Sequence, residues 1–257
     1  MKNEKGFTLA EVLITLVIIG VVAAFTIPSV NIYYRNVALQ SQLKKTYSEL
    51  AQLARLFYVD NGMTIPDYAR GRRESEFLDK ISSYIISTPI LASGQGKNDG
   101  SGNYNAYYTL KYLNGKKYSG GANSSGRDSS FMCDHSGFRS SNSGSIYVFN
   151  DFPQEGQNGP VICVDINGQK GPNQYGKDYF MFIFTTDGEV LPVGASHKDN
   201  PPHCDSSNGS CSNFNNVGAN YCSKSASDIS KNTSCAYYAL LDESPVDSKK
   251  SYWHDFI

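Results

Sequence analysis

Three sets of residues in this sequence have the types and spacing to do chemistry. The first is Asp165-Ile166-Asn167-Gly168-Gln169-Lys170-Gly171-Pro172-Asn173, running on to Gly176 and Asp178. Oxygen-bearing side chains at alternating positions, interrupted by glycine, are what a Ca2+ loop needs, with Asp165, Asn167, Asn173 and Asp178 as the ligands. The EF-hand spacing is not met, because the glycine comes too early and no glutamate closes the loop. Asn-Gly and Gly-Pro-Asn are equally ordinary turn formers between strands, and Lys170 and Lys177 would oppose a cation. Calcium and plain turn chemistry both stand open, and no cofactor is required by the sequence.

The second set is Cys133-Asp134-His135 and His203-Cys204. Either could suggest metal ligands or a Cys/His nucleophile, but a catalytic site also needs a third orienting group, and no motif supplies one. G-x-S-x-G, H-E-x-x-H, Walker A and G-x-G-x-x-G are all missing, so no residue is nominated for enzymatic catalysis and none is expected. The six cysteines are Cys133, Cys163, Cys204, Cys211, Cys222 and Cys235. They never form C-x-x-C, and an even count confined to one region fits disulfides made in an oxidising compartment. Local pairing, Cys133–Cys163, Cys204–Cys211 and Cys222–Cys235, is the expectation, although sequence does not choose among the pairings. Sequons at Asn123, Asn208 and Asn232 are weak signals.

The third is a lone carboxylate, Glu11, inside the 21 apolar residues from Phe7 to Ile27. An acidic group well inside an apolar helix costs on the order of 3 kcal/mol on lenient insertion scales. Thr8-Leu9-Ala10-Glu11 is a capping box, in which Glu11 reaches back to the Thr8 N–H near the positive end of the helix. The box explains how Glu11 is tolerated but not what it is for.

These residues must be positioned by three kinds of element. Phe7–Ile27 is long enough to cross a bilayer, which takes about 20 apolar residues. Lys2 and Lys5 precede it, so the N-terminus should stay cytoplasmic and the rest be exported. An ordinary secretory signal cleaved near Val22-Ala23-Ala24 is the competing reading. After Pro28 an apolar stripe continues through Leu39, Leu43, Tyr47, Leu50, Leu53 and Phe57 at helical spacing and ends at Asn61-Gly62. A helix from Thr8 to Asp60 would be about 80 Å long, with a kink expected at Pro28.

Beyond residue 62, a second helix is predicted around 75–86. Strands are predicted at 107–118 with a turn at Asn114-Gly115, and at 145–149, 161–166, 179–185 and 189–193, with a tight turn at Asp187-Gly188. Residues 93–103 and 119–130 are Gly-, Ser- and Asn-rich and read as loops. The chain is nearly neutral, at net charge −1, which argues against nucleic acid as a partner. The stretch 204–235 is too rich in Cys, Ser and Asn to build a core of its own, so disulfides are expected to hold it.

Lys5-Gly6-Phe7-Thr8-Leu9-Ala10-Glu11 resembles the signature of type IV prepilins and of the pseudopilins of type II secretion. Leader length, Gly, Phe, Glu and the apolar run all agree, over roughly the first 30 residues. The resemblance implies cleavage between Gly6 and Phe7 by a prepilin peptidase, which also methylates Phe7. It implies that the membrane helices later bundle in a filament, where Glu11 meets the N-terminal amine of a neighbour and sets register; a buried carboxylate costs far less when paired. Gly20 and Pro28 stand where many type IV pilins carry a helix-loosening Gly and Pro.

The implied fold is α+β: a long N-terminal helix, transmembrane in its first half, packed on an antiparallel sheet with a disulfide-rich C-terminal region. The implied organisation is a leader at 1–6, a membrane and filament-core helix at 7–30, its amphipathic continuation at 31–62, and an exported head at 63–257. The implied role is a structural subunit of a type IV pilus or type II secretion pseudopilus, a minor or large-headed one given the chain's size. Its implied partners are the peptidase, like or related subunits, and the assembly platform of the bacterial inner membrane. From there the head would enter a periplasmic pseudopilus or a surface pilus. Calcium in the head also has support, since major pseudopilins carry such a loop. The alternative is a recognition or adhesin module displayed on the same anchor, binding a surface, a secreted substrate or DNA.

Overall fold

The computed structural model describes residues 6–85, 87–90, 110–117, 137–140, 143–149, 153, 157–195, 203–204, 211–212, 221–225 and 229–257. One helix, α1 (Leu9–Asn61), runs through Gly20 and Pro28. The chain divides into two compact units, Met1–Ala38 and Leu39–Ile257.

In the first unit the helix buries almost nothing. Val12, Leu13, Ile14, Leu16, Val17, Ile18 and Ile19 are all exposed, as are Val21, Val22, Phe25 and Ile27. The helix is apolar on every side, so its composition does not choose one face, and it passes the length and hydropathy test for a membrane span.

In the second unit the same helix has one buried face. Leu43, Leu50 and Phe57 are fully buried and Leu39 and Leu53 nearly so, which is the predicted stripe. Asn61 closes the helix, donating through Nδ2 to Phe57 O at 2.7 Å and to the Tyr84 hydroxyl at 2.8 Å. Gly62 follows at φ +65°, donating to Tyr58 O, a conformation glycine takes without a Cβ penalty. Two short helices come next: α2 (Ile65–Ala69), capped by Thr64 with Pro66 in its first turn, and α3 (Glu74–Ser82). The predicted second helix therefore starts one residue earlier and stops four residues sooner, at Ser82, and α2 was not foreseen.

The sheet has six antiparallel strands in sequential order: β1 (Ser87–Ile90), β2 (Gly137–Ser140), β3 (Ile146–Phe149), β4 (Val161–Asp165), β5 (Tyr179–Phe184) and β6 (Val190–Pro192). Strands β3 to β6 were predicted; β1 and β2 were not. Gly188 turns the chain from β5 to β6, donating to Thr185 O at 3.0 Å. Strand β5 is Tyr-Phe-Met-Phe-Ile-Phe, buried throughout. Its alternate residues face two cores, as the two-residue period of a strand requires. Phe180, Phe182 and Phe184 pack with the α1 stripe. Tyr179, Met181 and Ile183 pack with Leu110, Tyr112 and Tyr175 on the other face.

The predicted strand 107–118 is corrected over its described part. Lys111 makes only isolated bridges, to Lys117 and to Gln174. The reason is local: the chain turns back at Tyr112–Lys116, the Tyr112 N–H donating to Lys116 O and the Gly115 N–H to Tyr112 O, so 110–117 is a turn rather than one strand. Residues 107–109 and 118 of that prediction lie outside the described residues, as do the Gly/Ser/Asn-rich stretches at 93–103 and 119–130.

The C-terminal segment does more than hang from disulfides. Cys222, Cys235, Ala236 and Ala239 join the main core, with Tyr252, Trp253 and Phe256; Cys235, Ala236 and Ala239 come from α4 (Cys235–Leu241). Trp253 is fully buried and donates its indole N–H to Ala239 O at 2.8 Å. The last turn, Tyr252–Phe256, is started by Ser251, whose hydroxyl accepts from the His254 N–H.

Candidate functional site

At the N-terminus the predicted capping box forms. Glu11 Oε2 accepts from the Thr8 backbone N–H at 2.8 Å and from the Thr8 hydroxyl at 2.8 Å, and the Glu11 N–H donates to Thr8 Oγ1 at 3.3 Å. Two orphan donors of the helix start are satisfied this way. Gly6 and Phe7 precede the helix in extended, exposed chain, Phe7 being 88% exposed. A Gly–Phe bond outside any helix and unprotected by packing can be reached by a peptidase. Gly20 and Pro28 lie within α1, and a Cβ at Gly20 would meet nothing.

In the head, the four predicted oxygen donors come together. Asp178 is the hub, although it is fully buried. Its Oδ2 accepts from the Asn173 N–H at 2.8 Å and its Oδ1 from the Gln174 N–H at 2.6 Å, while Asn167 Nδ2 lies 3.4 Å from Oδ2. Asp165 Oδ1 accepts from the Asn167 N–H at 3.2 Å, and Asn167 Nδ2 also donates to Gly171 O at 3.0 Å. Burial raises the Asp178 carboxyl above its ordinary value, and these hydrogen bonds oppose the rise.

Both oxygens of Asp178 thus serve as turn acceptors. The cation test rests on the other atoms: Asn167 Oδ1 and Asn173 Oδ1 are buried and lack a hydrogen-bond donor. Two orphaned amide oxygens in a loop that also holds two carboxylates are the donor types a hard cation takes. Lys170 is exposed. Among the described residues no group of three or more His, Cys, Asp and Glu side chains is arranged to hold a metal.

The loop is fitted tightly to its neighbours. At Gly168, φ +65°, a Cβ would sit 2.6 Å from Gly144 O. At Gly176, φ +75°, it would meet the Tyr252 hydroxyl at 2.8 Å and Cys235 Sγ at 3.1 Å. The Tyr252 hydroxyl donates to Gly176 O at 2.7 Å, so the C-terminal turn is bound directly to the loop.

The cysteines divide by what is described. Cys222 and Cys235 are bonded, with S–S 2.13 Å. Cys163 is disulfide-bonded; Cys133 lies outside the described residues. Cys204 and Cys211 are facing Cα partners in a two-stranded ribbon, β7 (His203–Cys204) and β8 (Cys211–Ser212). The sequon at Asn232 is closed to modification in the folded chain. Its side chain is buried, accepting from the Leu113 N–H at 3.1 Å and donating to Ser223 O at 3.1 Å.

Sequence reasoning missed the polar ties between α1 and the sheet. The buried Tyr147 hydroxyl donates to Glu49 Oε2 at 2.9 Å, and Tyr47 donates to Val190 O at 3.0 Å. Burial, with the Glu49 charge, pushes the Tyr147 phenol far above its usual range. Glu49 lies off the apolar stripe, and nothing in its local pattern marks it.

Residues 1–27 match the family model described as the prokaryotic N-terminal methylation motif. The chain therefore carries the prepilin-type cleavage and methylation signature, which implies processing by a prepilin peptidase and assembly with other pilin subunits. The long N-terminal helix, the antiparallel sheet and the Cys222–Cys235 disulfide make an α+β fold and are consistent with that of a pilin. No curated protein and no solved structure matches the chain.

Proposed function

We propose that this protein is a non-catalytic structural subunit of a type IV pilus or a type II secretion pseudopilus, a minor or large-headed one. In this reading the peptidase cuts after Gly6, Phe7 becomes the methylated N-terminus, and the subunit polymerises through the first half of α1. The observation that carries it is the methylation motif at residues 1–27 on a helix whose apolar side chains are exposed. A bilayer covers them first and neighbouring helices afterwards, when Glu11 can pair with a neighbour's amine.

Mass spectrometry of the mature N-terminus tests the reading. N-methylated Phe7 is expected in membranes. Its recovery in sheared extracellular material would favour a surface pilus over a periplasmic pseudopilus. A chain beginning near Phe25 would mean an ordinary secretory signal, and the filament reading would fall.

Calcium is the second proposal, supported by the orphaned Asn167 and Asn173 oxygens. Asp165 and Asp178 would supply negative charge and the two amides neutral oxygens, so the ion would brace the loop that holds Tyr252. Ca2+ should raise the melting temperature saturably, as a ligand of the folded state does, and Mg2+ should not. No rise would leave turn chemistry as the whole account of the loop.

A further inference from the structure

Towards the end of the first unit stand Tyr33-Tyr34-Arg35, and these three residues have no part in the processing motif or the apolar run. The 23 residues from Val12 to Tyr34 carry no charge, so Glu11 and Arg35 are the charges that bracket the span. At helical rise they stand about 36 Å apart. The hydrocarbon core of a bilayer is about 30 Å thick, or roughly 40–45 Å with its headgroup layers. A helix with Glu11 at one headgroup layer thus delivers Tyr33, Tyr34 and Arg35 to the other.

The side chains suit that depth. Tyr33 is 52% exposed and Tyr34 67% exposed, and their rings meet edge to face at 5.6 Å, forming one aromatic patch. Tyrosine concentrates where water meets lipid because its ring is apolar and its hydroxyl is polar. Arg35 is exposed beside them, and its guanidinium matches a phosphate in geometry and charge. On the far side Glu11 is already hydrogen-bonded to Thr8, so it needs no partner inside the hydrocarbon.

We propose that Tyr33, Tyr34 and Arg35 form an anchor in the phospholipid headgroup layer, holding the unassembled subunit at the depth that keeps Glu11 at the opposite face of the bilayer. The proposal rests on the membrane-subunit reading above. It adds the partner, a phospholipid headgroup, and explains how a lone carboxylate waits in the membrane without a neighbour. Leaving the bilayer for a filament then means releasing this patch from the headgroups.

Depth-dependent fluorescence quenching of the full chain in phosphatidylethanolamine/phosphatidylglycerol vesicles tests it. The protein has one tryptophan, Trp253, buried in the head, so wild type supplies the background. Tyr34→Trp reports the proposed anchor and Val22→Trp the middle of the span. Tyr34→Trp should be quenched more by lipids brominated close to the headgroup than by lipids brominated near the acyl-chain end, and Val22→Trp the reverse. If Val22→Trp is quenched as expected while Tyr34→Trp is not quenched at all, the helix spans but the anchor is wrong, and the tyrosines face water or another copy. Quenching of Tyr34→Trp chiefly from the chain end would also overturn the anchor, since the residue would lie too deep. If Val22→Trp is not quenched, the span itself fails and the anchor falls with it.

Discussion

The two halves of α1 end in opposite states. Between Val12 and Ile27 leucine, isoleucine and valine stand exposed, whereas Leu39, Leu43, Leu50, Leu53 and Phe57 are buried. The halves differ in composition and in pattern: 12–27 is uncharged and apolar on every side, while 39–57 sets Lys44, Lys45, Glu49 and Arg55 off a single apolar stripe. A helix apolar on all sides cannot be covered by one sheet alone. A helix with a single stripe can be covered by its own chain, and here the aromatic face of β5 covers it.

The comparison is broken most forcefully in the core that covers the second half, which Trp253 shares. Trp253→Ala should cost about 3–5 kcal/mol, the range for deleting a large buried aromatic, read as a sharp fall in the head's melting temperature. Ile18→Ala, in the exposed half, should leave that temperature within the roughly 0.5 kcal/mol typical of surface changes. A large effect of Ile18→Ala would mean that the first half has a partner within this chain.

Removing the disulfide with Cys222→Ala and Cys235→Ala together should cost about 3 kcal/mol, given a sequence separation of 13. Chemical denaturation under non-reducing conditions reads this directly. Gly176→Ala should cost less, about 1–3 kcal/mol, because a Cβ at φ +75° would press on Tyr252 and Leu113. A neutral result would show that the C-terminal turn does not depend on the loop beneath it.

The smallest effect is one of pH. Asp178 is raised above the ordinary 3.8 by burial, so the native state keeps a proton that the unfolded state has released. Its contribution is therefore full below the ordinary value and is lost as pH climbs through the native one. Asp178→Asn should flatten this fall in a plot of melting temperature against pH. Bound Ca2+ would flatten it in wild type as well, since a cation favours the carboxylate.

Local signals were legible in the sequence and tertiary ones were not. The Thr8–Glu11 box, the stripe from Leu39 to Phe57 and the Asp187-Gly188 turn each depend on residues a few positions apart. Strands β3 to β6 announce themselves through aromatic and β-branched runs. Helix α2 is only five residues long, and β1 and β2 only four each, with Pro89 in one and Gly137 in the other, too short for any period to stand out.

The candidate loop shows the same division. The spacing marked Asp165, Asn167, Asn173 and Asp178 as one polar group, with calcium and turn chemistry both open. That Asp178 would accept two backbone N–H groups, and that Tyr252 would bind Gly176 from 76 residues away, did not follow from it. Trp253 carries no period and Asn232 looks like a sequon, yet both are fixed by contacts distant in sequence.

The most direct test of the account is assembly by a Glu11→Leu variant in cells that make the filament. The substitution should leave cleavage after Gly6, membrane insertion and head stability unchanged, and should remove the subunit from the sedimentable filament fraction. Glu11→Leu entering filaments at the wild-type level would contradict the role of that carboxylate, and with it the account of why a charge stands in this helix.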